Sequence, residues 1–205
     1  MNVFDLKARR LVNLRKLPSV YTESQMAALV RRPDPGSRTG LRDRAMLAVL
    51  CACGLRASEL CHLRVSDLRS AAIFVHRGKF GYQRWVPISD RARAAITEYL
   101  TVFKAAGDQP VFRSIASGRR LSRRQVHKIV TKYSQSLKLK GGVHILRHSA
   151  ATRWLDRGLD LESVRAILGH KNIATTAIYL SVATQGLIRN YRRALEPATH
   201  RQAAA

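Results

Sequence analysis

The sequence predicts a mainly helical α+β domain with one small antiparallel β-hairpin. Three observations carry this. Apolar residues recur at helical spacing through most of the 205 residues. Two short β-rich runs, 72–76 and 84–88, flank a glycine-containing stretch. The apolar content of 46% is enough for a chain of this length to bury a core without disulfides.

In chain order, Thr22 and Gln25 have capping-box spacing and open a short helix to about Arg32. Pro33, Pro35 and Gly36 break it. Residues 41–53 carry a dense apolar helical pattern that Gly54 ends, and 57–63 reads as another short helix. The two β runs then form a hairpin with Lys79 in its tip. Helices are expected at about 90–105, 122–137, 144–157, 161–168, 172–180 and 184–195. With neither an internal repeat nor a low-complexity linker, the chain divides into a basic arm (1–17), one domain (18–195) and a flexible tail (196–205).

Charge narrows the function. The 37 Lys and Arg residues against 13 Asp and Glu give a net charge of +24, which resists compaction unless a polyanion screens it. DNA or RNA is the first partner to expect and an anionic membrane surface the second. So few carboxylates leave little material for a two-metal cage. The N-terminus lacks the apolar core of a secretory signal, and the apolar run at 45–55 is too short to cross a bilayer. A cytoplasmic, DNA-associated protein is expected. Cys51, Cys53 and Cys61 lack the second Cys/His pair of a zinc module and are expected to be packed thiols.

Two familiar chemistries fail on their residues. No glycine-rich loop ending in Gly-Lys-Ser/Thr is present to cradle a nucleotide. His144 and His148 have zincin spacing, but Ile145 stands where the general-base Glu is required. Neither a metal nor a cofactor is therefore expected. What remains is a set of cations and imidazoles. Arg56 follows a helix-breaking glycine, and Glu59, three residues on, is placed to pair with it or brace a backbone amide. His144 and Arg147 share a helical face by their spacing. His170 follows a helix end, and the phenol of Tyr179 comes nine residues later. Each alone has a plainer reading: a capping Arg, a structural His, a core Tyr, a solubilising Lys in a hairpin tip. The case rests on their joint order.

In that order the chain resembles the tyrosine recombinases, the family of phage integrases and Xer-type resolvases. The matching text is Gly54-Leu55-Arg56-Ala57-Ser58-Glu59-Leu60, Gly78-Lys79 ahead of Arg84-Trp85-Val86-Pro87, His144-Ile145-Leu146-Arg147-His148, and Leu168-Gly169-His170 followed by Tyr179. The resemblance covers about 18–190 and implies a tyrosine-recombinase-like catalytic domain. It implies that Arg56 and Arg147 hold the scissile phosphate, Lys79 protonates the leaving oxygen, His144 takes the phenol proton, His170 donates to a phosphate oxygen, and Tyr179 is the nucleophile. The product it implies is a 3′-phosphotyrosine, so that religation needs no ATP and no metal.

The resemblance also gives the basic segment 113–128 a role. Six of its sixteen residues are Arg or Lys. Ser122 is expected to cap a helix whose Arg123, Arg124, Gln125 and Lys128, with Arg120 just ahead, approach DNA. Two departures stand out: no N-terminal core-binding domain is expected ahead of 18, and Tyr82 stands where relatives carry a second basic hairpin residue. The expected function is site-specific recombination of double-stranded DNA by a dimer or tetramer, with a partner recombinase or a DNA-bending protein as a further option. The alternatives are a DNA-binding accessory or truncated remnant without productive catalysis, and a monomeric nicking-closing enzyme.

Overall fold

In a computed structural model, which describes residues 19–76 and 83–170, seven α-helices surround one two-stranded antiparallel sheet. They are α1 (Glu23–Arg31), α2 (Arg38–Cys53), α3 (Ala57–His62), α4 (Asp90–Phe103), α5 (Arg123–Ser136), α6 (Val143–Asp156) and α7 (Leu161–Leu168). Strands β1 (Ala72–Val75) and β2 (Arg84–Pro87) lie between α3 and α4, after a single 3-10 turn at Val65–Asp67. The expected elements are present, with ends shifted by a few residues. The helices expected at 172–180 and 184–195, the arm and the tail lie outside the described residues.

Helix α2 is the axis of the molecule. Ala45, Met46, Leu47, Val49 and Leu50 are at most 1% exposed. A helix buried on so much of its circumference needs apolar residues around it and not only along one stripe, which is the dense pattern of its sequence. Helices α1, α4 and α6 pack against it. It begins three residues before the expected start because Ser37, in the segment read as a breaker, accepts from the Gly40 amide and caps it. Cys51, Cys53 and Cys61 are buried free thiols, and burial pushes the first two up to about 12, so they are inert packing groups.

Gly54 closes α2 at φ +58, a conformation in which a Cβ is strained, and that Cβ would also come 3.2 Å from the Trp154 ring and 3.3 Å from Leu168. The tight turn lets α3 start at once, and it delivers Arg56 and the Gly54 carbonyl to the same corner. In the hairpin, Ile73, Val75 and Val86 face the core. Strand β2 and α6 both contact α7.

A buried polar network holds α5 against α2. Asp43 accepts from Arg42 at 2.6 and 2.8 Å and from the Tyr133 hydroxyl at 3.0 Å, while Arg42 donates to the Arg113 carbonyl. Charge buried with its partners satisfied orders its surroundings. Here it fixes both α5 and the loop that leads into it. Among the described residues, no helix is long and apolar enough to cross a membrane.

Candidate active site

Glu59, its side chain fully buried, is the hub of a cluster of three guanidiniums. It sits in the first turn of α3, where its Oε2 accepts the Arg56 amide at 2.8 Å. Its Oε1 accepts from the Arg56 guanidinium at 2.8 Å. Both expectations for Glu59, pairing and bracing, are met at once. Arg84, from β2, donates to both oxygens at 3.0 and 3.1 Å. Arg147, from α6, brings Nη1 to 3.9 Å of Oε2. Burial raises the pKa of Glu59, but hydrogen bonds and charge from Arg84, then the Arg56 amide and guanidinium, outweigh it and hold the carboxyl below its ordinary value.

The same arginines cap the C-terminal carbonyls of α7, the negative end of its dipole. Arg84 Nε donates to the Ile167 carbonyl at 2.6 Å. Arg147 donates to the Leu168 carbonyl at 2.6 Å and, from its other terminal nitrogen, to the Gly54 carbonyl at 2.7 Å. Arg56 reaches the Leu168 and Gly169 carbonyls at 3.4 Å. Gly169 ends α7 at φ +66, and a Cβ there would stand 3.0–3.2 Å from the Arg84 guanidinium.

His170 follows directly. Its Nε2 lies 3.0 Å from Arg147 Nη2, and a guanidinium only donates, so Nε2 accepts and the ring is neutral with its proton on Nδ1. Burial first, then the charges of Arg147, Arg56 and Arg84, push its pKa down to about 4. A base whose folded pKa lies below its ordinary 6.5 stabilises the fold above that value and loses the contribution as pH falls towards 4. The urea midpoint of the wild-type chain is therefore expected to drop more between pH 7 and pH 4.5 than that of His170→Asn. Equal drops would show that this imidazole is not linked to folding.

Of the residues singled out from sequence, the structure brings Arg56, Glu59, Arg147 and His170 together. Lys79 and Tyr179 lie outside the described residues. His144 and Arg147 lie three residues apart on α6, as their shared helical face requires, but they differ in exposure. Arg147 is buried, whereas His144 is exposed one turn earlier, its ring 6.2 Å from that of His127 on α5. Three residues along a helix leave two side chains only about 60° apart, so the pair shares a face, with Arg147 inside the cluster and His144 on its rim. His148 is half-buried, and burial, then the charges of His144 and Arg147, lower its pKa.

The basic segment divides in two. Arg120, Arg123, Arg124, Gln125 and Lys128 are exposed. Arg113 instead turns inward and donates to the Phe103 carbonyl. Ser122 caps α5 as expected, and the Gln125 side-chain oxygen is engaged in that capping box by the Ser122 amide and hydroxyl, both at 2.8 Å.

Arg84 was not singled out from sequence, yet the signal was there. Strand alternation puts it on the face of Val86, and a charge on a buried strand face requires a partner. Chemically, three planar cations meet one carboxylate beside a neutral imidazole. Such a corner retains excess positive charge suited to the oxygens of a phosphodiester.

The model of the phage integrase family matches residues 19–185. A tyrosine recombinase XerA of Pyrococcus horikoshii is 35% identical over 203 residues, covering 95% of this chain and 67% of that protein. A tyrosine recombinase XerD of Xanthomonas campestris is 38% identical over 189 residues, covering 84% of this chain and 58% of that protein. The chain thus spans roughly three fifths to two thirds of the length of these relatives. Among solved structures, a XerA recombinase has a TM-score of 0.74 at 24% identity, with 89% of this chain and 65% of that one covered. XerH bound to its palindromic difH substrate after cleavage has a TM-score of 0.72 at 23% identity, with 88% and 54% covered. The catalytic domain of bacteriophage HP1 integrase has a TM-score of 0.61 at 21% identity, with 89% and 97% covered.

Proposed function

The chain belongs to the phage integrase family, and from that premise we propose that it cuts and rejoins double-stranded DNA at specific sites through a transient bond to Tyr179. The observation that carries the reading is the guanidinium corner. Glu59 balances one of the three charges, and the forks of Arg56 and Arg147 are fixed by backbone carbonyls on either side. Preorganised donors of this kind are typically worth about 10²–10³ in rate each, because they need no rearrangement as charge develops on the non-bridging oxygens.

In the proposed step the Tyr179 oxygen attacks phosphorus, and the bond from phosphorus to the 5′-oxygen breaks. His144 takes the phenol proton, Lys79 gives one to the leaving oxygen, and His170 turns a donor towards the phosphate. The phosphotyrosine keeps the energy of the broken ester, so the reverse attack by a 5′-hydroxyl rejoins the strand. The exposed cations at Arg120, Arg123, Arg124 and Lys128, with the Gln125 amide, support a DNA contact along the start of α5. The DNA-bound XerH structure supports the same class of partner. The working form is a dimer or tetramer on paired sites, with or without a partner recombinase.

The test is a pool of duplexes with randomised inverted repeats, each nicked so that the released 5′ fragment diffuses away. Incubated with the full chain and EDTA, without ATP, the pool should yield an SDS-resistant adduct, and sequencing the attached DNA should return one consensus. Binding without any adduct overturns the reading in favour of a DNA-binding accessory. An adduct without a consensus points to a nicking-closing enzyme.

A further inference from the structure

We propose that Arg84 is a positioning residue for the phosphate-binding arginines: it occupies Glu59 permanently, so that Arg56 and Arg147 stay aimed at the substrate. The proposal rests on the strand-exchange reading above and assigns a role to a residue outside the expected catalytic set.

The geometry separates the three guanidiniums. Arg84 is bidentate on Glu59, at 3.0 and 3.1 Å, and its Nε is taken by the Ile167 carbonyl. Its side chain is 10% exposed against 22% for Arg56, so it lies deeper than Arg56, while Arg147, at 6%, is equally buried and is set apart by its distance from Glu59. Arg147 lies 3.9 Å from Glu59, beyond hydrogen-bond reach. A buried carboxylate draws in whatever donors it can reach, because leaving it under-satisfied is costly. Without Arg84, Glu59 would take Arg56 as a bidentate partner and pull Arg147 inward, and both movements withdraw donors from a phosphate.

Arg84 also acts on the other side of the corner. By holding the Ile167 carbonyl it fixes the last turn of α7, whose next two carbonyls are the acceptors that orient Arg147 and Arg56. One side chain therefore sets both the anionic and the carbonyl anchors of the two forks. Gly169 is the matching concession in the sequence, since a Cβ would press on this guanidinium.

The experiment compares two nicked duplexes bearing the selected site. One has a native scissile phosphodiester. The other has a methylphosphonate in which a methyl group replaces one non-bridging oxygen and removes the charge the arginines balance. Single-turnover adduct formation is measured for the wild-type chain, Arg84→Met and Arg84→Lys, with DNA affinity and melting temperature as controls. On the native substrate Arg84→Met should lose about 10²-fold, the scale of a displacement near 1 Å in a catalytic constellation. On the neutral substrate most of that loss should vanish, because misaimed forks have less charge to meet. Arg84→Lys, which keeps the charge without the fork, should fall between, and it carries the test if Arg84→Met fails to fold. Equal losses on both substrates mean a merely structural role and overturn the proposal, as does no loss on either. If the wild-type chain forms no adduct on either duplex, the strand-exchange reading fails and this proposal falls with it.

Discussion

Tyr179→Phe is expected to reduce the SDS-resistant adduct to background while leaving DNA affinity unchanged. The substitution removes one oxygen and nothing else. That oxygen is the atom that forms the bond to phosphorus in the proposed step, and the rest of the assigned set has other work: Arg56 and Arg147 have no nucleophilic lone pair, His144 and Lys79 are assigned to proton transfer, and His170 to a hydrogen bond with the phosphate. Binding draws on a different resource. The 37 basic residues supply the attraction for the backbone, and each phosphate contact lowers log affinity by about 0.9 per log unit of salt. The two measurements therefore separate. Adduct formation and affinity, compared at several salt concentrations, check the prediction. An adduct formed by the Phe chain would reassign the nucleophile, and a parallel loss of affinity would mean that the phenol holds DNA rather than attacks it.

The helices were legible because their ends are written in single residues: Thr22 and Ser122 cap as their spacing indicates, and Gly54 stops α2 in the left-handed conformation it alone adopts without strain. Ser37 was passed over because a proline and a glycine just before it read as a breaker, although a hydroxyl there is what a helix start needs. At the site, the pairing of Arg56 with Glu59 follows from their spacing as the N-cap and third residue of α3. The role of Arg84 depends on strand alternation meeting a helix twenty-five residues earlier. The carbonyls of Gly54, Leu168 and Gly169 have no sequence signature as acceptors, because every residue carries one. Only the approach of α7 to the α2–α3 turn makes them the frame of the two forks.

Arg147→Lys is expected to lower adduct formation by about 10²–10³-fold, the loss for one preorganised donor, and to lower the urea midpoint as well. Both effects come from shape. The planar fork spans the Gly54 carbonyl at 2.7 Å and the Leu168 carbonyl at 2.6 Å, and it reaches His170 at 3.0 Å. An ammonium on a flexible stem is a point donor and cannot hold two carbonyls on opposite sides of the cleft. At least one of these buried acceptors is then left unpaired, at about 1–3 kcal/mol. The charge survives the substitution, so a requirement for charge alone predicts little change in rate. A requirement for two fixed directions predicts the full loss. The imidazole tells the same story independently. His170 is held neutral partly by the Arg147 charge, which a lysine retains, but its Nε2 loses the planar donor that orients the ring. Nuclear magnetic resonance of the ring should then show a pKa still below the ordinary histidine value while adduct formation has collapsed. A variant that cleaves at the wild-type rate would mean that Arg147 serves the fold alone, and that Arg56 carries the phosphate without it.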